Sequence, residues 1–235
     1  MHTNGREWGM VKLASAMALL CAVAGAHEHW LNAECFYPEA GQTVTVHLCS
    51  GHYFPKSSFA LQDKVLAGVD WQRSDGVTVP FHTVVGAAQR SGTFGATDEG
   101  VHILSFTLKR PRAQAPSYEG KVILIVGDSG DSTNRYTSGV GLELVPEQPV
   151  SALRKGDKVG IALWMDGRRV KGSISASAAG GKTSLLTTGI DQAATLTLRK
   201  AGRYLVTSTH EGRGASLVFE VKGSEGGSQK SEVSK

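Results

Sequence analysis

The sequence contains little clustered charge, no long apolar run beyond its N-terminus and few cysteines. Lysine and arginine number 25 against 21 aspartate and glutamate residues, a formal net charge of +4 over 235 residues. The basic residues are scattered, and only residues 109–112 and 168–171 form small groups. Nucleic-acid binding needs a concentrated basic patch that follows the phosphates. The composition therefore excludes nucleic acid as an expected partner.

The one apolar run near the N-terminus, residues 17–23, is too short to cross a membrane. Arg6 and Lys12 precede this run, and Ala24-Gly25-Ala26 follow it with small side chains. Positive charge, a short apolar run and a small-residue site, in that order, are typical of a signal peptide. We therefore predict that residues 1–26 are removed, with cleavage after Ala24 as the alternative. The mature protein is expected to be periplasmic or secreted and not to span the membrane.

Cysteine is scarce, with three residues in the chain. Cys21 lies in the apolar run, and the two leucines before it do not provide the small residue that lipid attachment needs. Cys35 and Cys49 are then an even number in an exported protein, which predicts a disulfide. The alternative is that both thiols are soft metal ligands beside the histidines.

Familiar enzyme motifs are missing. The sequence has no serine elbow, no zinc-protease helix motif and no phosphate-binding loop, since residues 180–183 lack the first glycine of such a loop. Residues 128–134 are rich in oxygen ligands but lack the glutamate of a calcium loop. We therefore predict that the protein is not an enzyme.

What the sequence does contain is alternation of apolar and polar residues. In residues 43–49 the side chains of Val44, Val46 and Leu48 share one face, which predicts a half-buried strand. Further short runs bounded by turn residues predict strands at residues 77–85, 101–108, 121–126, 140–145, 158–164, 172–176, 183–188, 194–198, 203–209 and 215–221. No long helical pattern competes with them.

These runs predict an all-β chain of two Ig-like β-sandwich domains after the cleaved signal peptide. The first domain is predicted at residues 27–147 and the second at residues 148–222, with a hinge at residues 146–149. Residues 223–235 are rich in glycine and serine and are predicted to form a disordered tail.

A weak internal repeat aligns residues 99–104 with residues 201–206. Both look like the entry to a sandwich strand, where a tyrosine corner bonds back to the preceding turn. Tyr204 fits that role, and His102 occupies the equivalent position. We therefore interpret His102 as a structural hydrogen-bonding group and not as a metal ligand.

Cleavage after Ala26 would leave His27-Glu28-His29 at the N-terminus. The free amine, the first backbone amides and the third-position His29 imidazole could wrap a square-planar Cu(II) or Ni(II) ion. In an alternative, brace-like arrangement, the amine and the ring of His27 bind the metal together with an imidazole from a distant part of the chain. A third interpretation is that these residues only begin the first strand.

His52 follows a strand on a loop, where sandwich domains usually carry binding residues. It is the candidate most suited to complete a metal site, with His47 less favoured and Glu28 as an oxygen donor. His82 and His210 have no companion nearby in sequence and are interpreted as structural or surface groups.

Five segments together carry a resemblance to a known family: residues 26–31, 51–55, 121–127, 141–146 and 163–171. They resemble the domain-of-unknown-function 4198 family, exported proteins often labelled periplasmic components of cobalt or nickel uptake systems. The resemblance covers residues 27–221 and implies a C-terminal Ig-like module of the carboxypeptidase-regulatory type. Two features depart from the family, namely His29 where phenylalanine is frequent, and the Cys35 and Cys49 pair.

The leading hypothesis is a periplasmic protein that captures nickel, cobalt or copper for a membrane metal transporter. Its metal ligands would be His27, His29, His52 and Glu28 with the mature amine. The alternative is a non-catalytic Ig-like interaction module of the cell envelope without a metal. A third hypothesis, a copper oxidase acting on polysaccharides, needs a flat aromatic face, for which four tryptophans offer little support.

Overall fold

The computed structural model describes residues 27–109, 117–128, 131, 136–139 and 141–223. The predicted signal peptide and all but the first residue of the predicted tail lie outside these ranges. Within them the chain forms strands and one 3-10 helix at Val150–Ala152, and no helix long and apolar enough to cross a membrane. The all-β prediction is confirmed.

The strands are, in chain order, β1 (Glu28–Ala33), β2 (Gln42–Gly51), β3 (Leu66–Gln72), β4 (Thr78–Pro80), β5 (Val84–Val85), β6 (Arg90–Ala96), β7 (Gly100–Leu108), β8 (Ser117–Val126), β9 (Leu142–Pro146), β10 (Lys158–Met165), β11 (Arg168–Arg169), β12 (Gly172–Ala178), β13 (Thr183–Thr188), β14 (Ala194–Thr197), β15 (Gly202–His210) and β16 (Arg213–Val221).

The strands form three sheets stacked as sandwich layers. The first sheet has the order β1-β2-β6-β5, and the central sheet has the order β13-β12-β15-β16-β8-β7-β3-β4. In the third sheet β10 pairs with β11, β14 and β9. One apolar core lies between the first and central sheets, and a second lies between the central and third sheets.

Strand β8 shows why the central sheet is covered on both faces. Its residues Val122 and Leu124 belong to the core shared with the first sheet, and Ile123 and Ile125 belong to the core shared with the third. Successive side chains of a strand point to opposite faces. A strand buried on both faces therefore needs a continuous apolar run, which residues 122–126 provide.

The central sheet contains strands from both sides of the predicted domain boundary at residues 147 and 148. Strand β16 pairs in parallel with β8, and Arg213 lies opposite Ser117 at one end of the shared register. All other pairs between the strands given above are antiparallel. The N-terminal and C-terminal parts of the described chain therefore share one continuous sheet.

Strands β15 and β16 are joined by a two-residue turn at residues 211 and 212. Glu211 and Gly212 both have positive φ, 46° and 72°, and His210 pairs with Arg213. Positive φ at both central positions is typical of the type I′ turn, which matches the twist of the flanking strands.

The predicted corner residues make the bonds expected of them. The Tyr204 hydroxyl donates to the carbonyl of Lys200 at 2.9 Å, and His102 Nε2 lies 2.6 Å from the carbonyl oxygen of Asp98. Each bond reaches back four residues to the turn before the strand. The hydrogen bonds expected of His102 and Tyr204 are confirmed.

The prediction of one strand at residues 77–85 is wrong. The segment forms two short strands, β4 and β5, interrupted by residues 81–83. Strand β4 pairs with β3 in the central sheet and β5 pairs with β6 in the first sheet, and the buried Phe81 lies between them. The segment therefore passes from one sheet to the other and does not form a single strand.

The predicted disulfide is also wrong, since Cys35 and Cys49 are free thiols. Cys49 lies opposite Trp30, and the Glu34 N–H bonds to the carbonyl of Thr45 as the ladder runs on toward Cys35. Cys35 is thus displaced along the ladder by about five residues, roughly 15 Å. A disulfide needs Cα atoms within about 7 Å.

Candidate metal centre

The first two strands bring His27 and His52 together. In the β1–β2 register Glu28 lies opposite Gly51 and His29 opposite Ser50, so His27 and His52 are the next facing pair. Facing side chains on antiparallel strands lie close enough to interact. The two imidazole centroids are 4.4 Å apart with a 34° angle between the ring planes. Both side chains are exposed.

Phe59 also contacts the His27 ring. Its ring meets His27 edge-on, with centroids 4.9 Å apart and an interplanar angle of 90°. Edge-to-face contacts of this kind are favourable between aromatic rings. The imidazole of His27 therefore contacts both an apolar ring and a second imidazole.

The loop that carries His52 is tied back onto β2. The Ser50 N–H donates to Ser57 Oγ at 2.9 Å, and the Ser57 hydroxyl donates to the carbonyl of Ala88 at 2.6 Å. The Ser58 N–H also bonds to the carbonyl of Ser50 at 2.7 Å. A Cβ on Gly51 would lie 2.6 Å from Ser58 Oγ and 3.2 Å from the Ser58 backbone nitrogen, so glycine eases this close approach.

His29 does not join the His27–His52 pair. Its Nδ1 lies 2.9 Å from Ser50 Oγ, and its ring meets Tyr118 edge-on with centroids 5.1 Å apart. Burial, followed by the neighbouring His27, lowers the pKa of His29 to about 4. The His29 ring is therefore a neutral, packed group in the protein at neutral pH.

Glu28 lies near the pair but is held elsewhere. Thr207 Oγ1 donates to Glu28 Oε1 at 3.4 Å, which is a long contact. Burial raises the pKa of Glu28, while the Thr207 bond and the His52 imidazole partly oppose that rise. The charge of His52 thus acts on the Glu28 carboxyl group without a direct hydrogen bond between the two side chains.

Side chains alone provide two nitrogen ligands here. No group of three or more His, Cys, Asp or Glu residues that could hold a metal occurs in the described part of the chain. A third donor at this point would be the α-amine of His27, which exists only after cleavage behind Ala26. An amine and two imidazoles are nitrogen donors that suit Cu(II), Ni(II), Co(II) and Zn(II).

The remaining histidines have other partners. His47 Nδ1 lies 2.8 Å from Ser91 Oγ, and its Nε2 lies 3.4 Å from a Glu34 carboxylate oxygen. His210 approaches Glu211 at 3.9 Å, and His82 is exposed. None of the three lies in ring contact with the His27–His52 pair.

A buried ion pair between Lys121 and Glu143 was not predicted from the sequence. Lys121 Nζ lies 2.8 Å from Glu143 Oε2, and both side chains are 7% exposed. A signal for it was present, because each charged residue shares its strand with buried apolar neighbours. Lys121 lies on the same face of β8 as Ile123 and Ile125.

Comparison with known proteins gives no family for this chain. No protein-family model matches it, and no curated protein does. Solved structures that match include fibronectin(III)-like modules of CbhA from Clostridium thermocellum, at 10% identity and TM-score 0.25 over 82% of this chain and 94% of that one. Murine CEACAM1b matches at 12% identity and TM-score 0.25, over 84% of this chain and 100% of that one. The titin fragment A168169 matches at 9% identity and TM-score 0.27, over 86% of this chain and 100% of that one.

Proposed function

We propose that the mature chain begins at His27 and captures one divalent transition-metal ion at the surface of the first sheet. The ligands are the α-amine and ring of His27 and the ring of His52. The observation that carries this proposal is the 4.4 Å separation of the two imidazole centroids, set by the β1–β2 register. Copper and nickel are the favoured metals, because nitrogen donors in a planar arrangement suit both ions.

The brace through His52 is favoured over a wrap through His29. The wrap needs the backbone nitrogens of Glu28 and His29, together with His29 Nδ1, in the plane of the metal. Both residues are already paired with Gly51 and Ser50 in the β1–β2 ladder, and His29 Nδ1 is within bonding distance of Ser50 Oγ. The wrap would therefore require the start of β1 to leave the sheet, and the brace would not.

The exposure of the pair supports a role in capture and delivery. Both rings are accessible from outside, so another protein can reach a metal held between them. The resemblance to the domain-of-unknown-function 4198 family supports a membrane metal transporter as the receiving partner. In this proposal the protein is periplasmic, binds cobalt, nickel or copper reversibly, and carries out no catalysis.

The test is a titration of the exported mature protein, whose intact mass first locates the cleavage site. We expect one Cu(II) or Ni(II) per chain, with affinity lowered at least about 100-fold in His27→Ala and in His52→Ala, since even groups behind metal ligands can change affinity that much. His29→Ala serves as the matched control and should bind as the unaltered protein does.

Two results would contradict the brace. If His29→Ala abolishes binding while His52→Ala retains it, the metal is wrapped by the N-terminal backbone. If neither metal binds the unaltered protein, the interaction-module alternative becomes the better account of the fold.

A further inference from the structure

A cavity of about 260 Å³ lies on the face of the central sheet opposite His29 and Tyr118. Strands β3, β7 and β8 form its floor, and β9 forms one wall. Its polar lining includes Asp70, Gln72, Ser105, Glu119, Lys121 and Glu143. Tyr118 and Glu119 are successive residues of β8, so they point to opposite faces of the sheet. The cavity is thus separate from the candidate metal centre.

The strand register explains why polar groups collect there. Asp70 lies opposite Ser105, and Ser105 lies opposite Lys121, so one row crosses three strands on the same face. Residues directly opposite each other in a sheet share a face. The neighbouring row on β7 and β8 pairs Thr107 with Glu119. The sequence therefore places a polar patch beside the apolar core that the third sheet covers.

The ion pair of Lys121 and Glu143 forms the inner wall of the cavity. Glu143 accepts hydrogen bonds from Lys121 Nζ at 2.8 Å, Thr137 Oγ1 at 3.0 Å and the Ser138 and Gly139 amides at 2.9 and 2.8 Å. Lys121 also donates to the carbonyl of Tyr136. Buried ion pairs often contribute little net stability because of their desolvation cost. A pair of this kind in a cavity wall is a candidate functional group.

Glu119 presents a carboxylate oxygen to which no described residue donates a hydrogen bond. Its Oε2 accepts the Leu142 N–H at 3.0 Å, whereas its Oε1 has no hydrogen-bond partner in the described ranges. The close approach depends on Gly141, which has φ of +73°, because a Cβ there would lie 1.8 Å from Oε2. Burial raises the pKa of Glu119, and the Leu142 N–H bond and the charge of Arg213 partly oppose that rise.

Negative charge is in excess among the described residues that line the cavity. Of these, Asp70, Glu119 and Glu143 are acidic and Lys121 is basic. Glu143 is neutralised by Lys121, while Asp70 is exposed and has no ion-pair partner among the described residues. Arg213, whose charge acts on Glu119, lies 3.5 Å from Asp166 and forms no ion pair with Glu119. Asp70 and Glu119 are therefore left without an ion-pair partner among the described residues and can attract a positive charge.

We propose that this cavity binds a small organic cation with a primary ammonium group, held by the carboxylates of Glu119 and Asp70. The hydroxyl groups of Ser105 and Thr107 lie on the same face and offer further hydrogen bonds to the ligand. The cavity is smaller than the roughly 300–1,000 Å³ of drug-sized sites, which limits the ligand to the size of a short diamine. Binding at this site does not depend on a metal at the first sheet.

The test is calorimetric titration of the mature protein, freed of metal by a chelator, with putrescine. Butanediol has the same chain length with hydroxyl groups in place of amines, and it provides the neutral control. We expect one putrescine per chain, no measurable butanediol binding and at least a 10-fold loss of putrescine affinity in Glu119→Gln and in Asp70→Asn.

Glu39→Gln, at an exposed glutamate on another part of the surface, is the matched control and should leave putrescine affinity unchanged. Thermal melting of each variant shows that it is folded. Absence of saturable putrescine binding, equal binding of butanediol, or unchanged affinity in Glu119→Gln would overturn the proposal. Saturable binding of Ca²⁺ in place of putrescine would also overturn it.

Discussion

At the scale of single residues, histidine takes a different role in each environment of this chain. His27 and His52 are exposed and face each other across two strands, which leaves their nitrogens available to a metal. His29 and His102 are held by neighbouring polar groups, and burial lowers the pKa of each. The same side chain is therefore a candidate ligand at the surface and a neutral packing group inside.

His102 predicts a pH-dependent stability. The Trp71 indole N–H donates to His102 Nδ1 at 3.1 Å, so a proton on Nδ1 would face another N–H group. Burial is the main cause that lowers the pKa of His102 below 6.5. As the pH drops below about 6.5, His102 binds a proton in the unfolded chain while it is still neutral in the folded chain. The free energy of unfolding therefore falls as the pH drops below about 6.5.

His102→Phe should reduce the slope of the free energy of unfolding against pH. It should also lower the free energy of unfolding at neutral pH by about 1–3 kcal/mol, because the Trp71 N–H is left without an acceptor. Urea unfolding at several pH values measures both effects. His82→Gln, at an exposed position, should keep the slope of the unaltered protein. Equal slopes in His102→Phe and the unaltered protein would contradict this account.

The residue roles that the sequence predicted correctly are those set by local patterns. His102 and Tyr204 each follow a turn by a fixed spacing, and each bonds back four residues. The partners of Lys121 and Cys49 depend instead on pairing between distant strands. For that reason the Lys121–Glu143 pair was missed and the Cys35–Cys49 disulfide was wrongly predicted.

At the scale of elements, strands with clear alternation were located well. The prediction at residues 183–188 matches β13, and those at residues 43–49 and 203–209 fall inside β2 and β15. Strands β3 and β6 were not predicted, because Gly68 and Asp70 interrupt the first and two glycines interrupt the second. Such residues have low strand propensity, and here the neighbouring strands impose the extended conformation.

The parallel pairing of β8 with β16 could not be predicted from either strand alone. It joins segments 96 residues apart in the chain, as Arg213 opposite Ser117 shows. No short-range turn signal marks a parallel pair, because its connection is long. This pair makes the central sheet continuous across the boundary predicted between residues 147 and 148.

That pairing predicts that a chain of residues 27–147 does not fold by itself. Without β16, the edge of β8 is unpaired, and Ile123 and Ile125 lose the third sheet that covers them. We expect a broad thermal transition for this fragment and a cooperative one for residues 27–223, measured by circular dichroism. A cooperative transition of the fragment would show that the N-terminal part is an independent domain.

At the scale of the whole molecule, the central sheet separates two candidate sites. The His27–His52 pair belongs to the first sheet, and the cavity at Glu119 lies on the far side of β8. Both depend on polar residues that the sheet register brings together from distant parts of the chain. Residues 122–126 of β8 pack into an apolar core on each face of the central sheet, so both sites are built on a packed, rigid strand.

The central claim is that a mature N-terminus and two facing imidazoles form a metal site. The most direct test compares Cu(II) affinity of a chain beginning at His27 with that of the same chain carrying one extra glycine before His27. The extra residue moves the amine away from the His27 ring but leaves β1, β2 and His52 unchanged. We predict one Cu(II) per chain for the first protein and an affinity at least about 100-fold lower for the second. Equal affinity of the two proteins would contradict the claim.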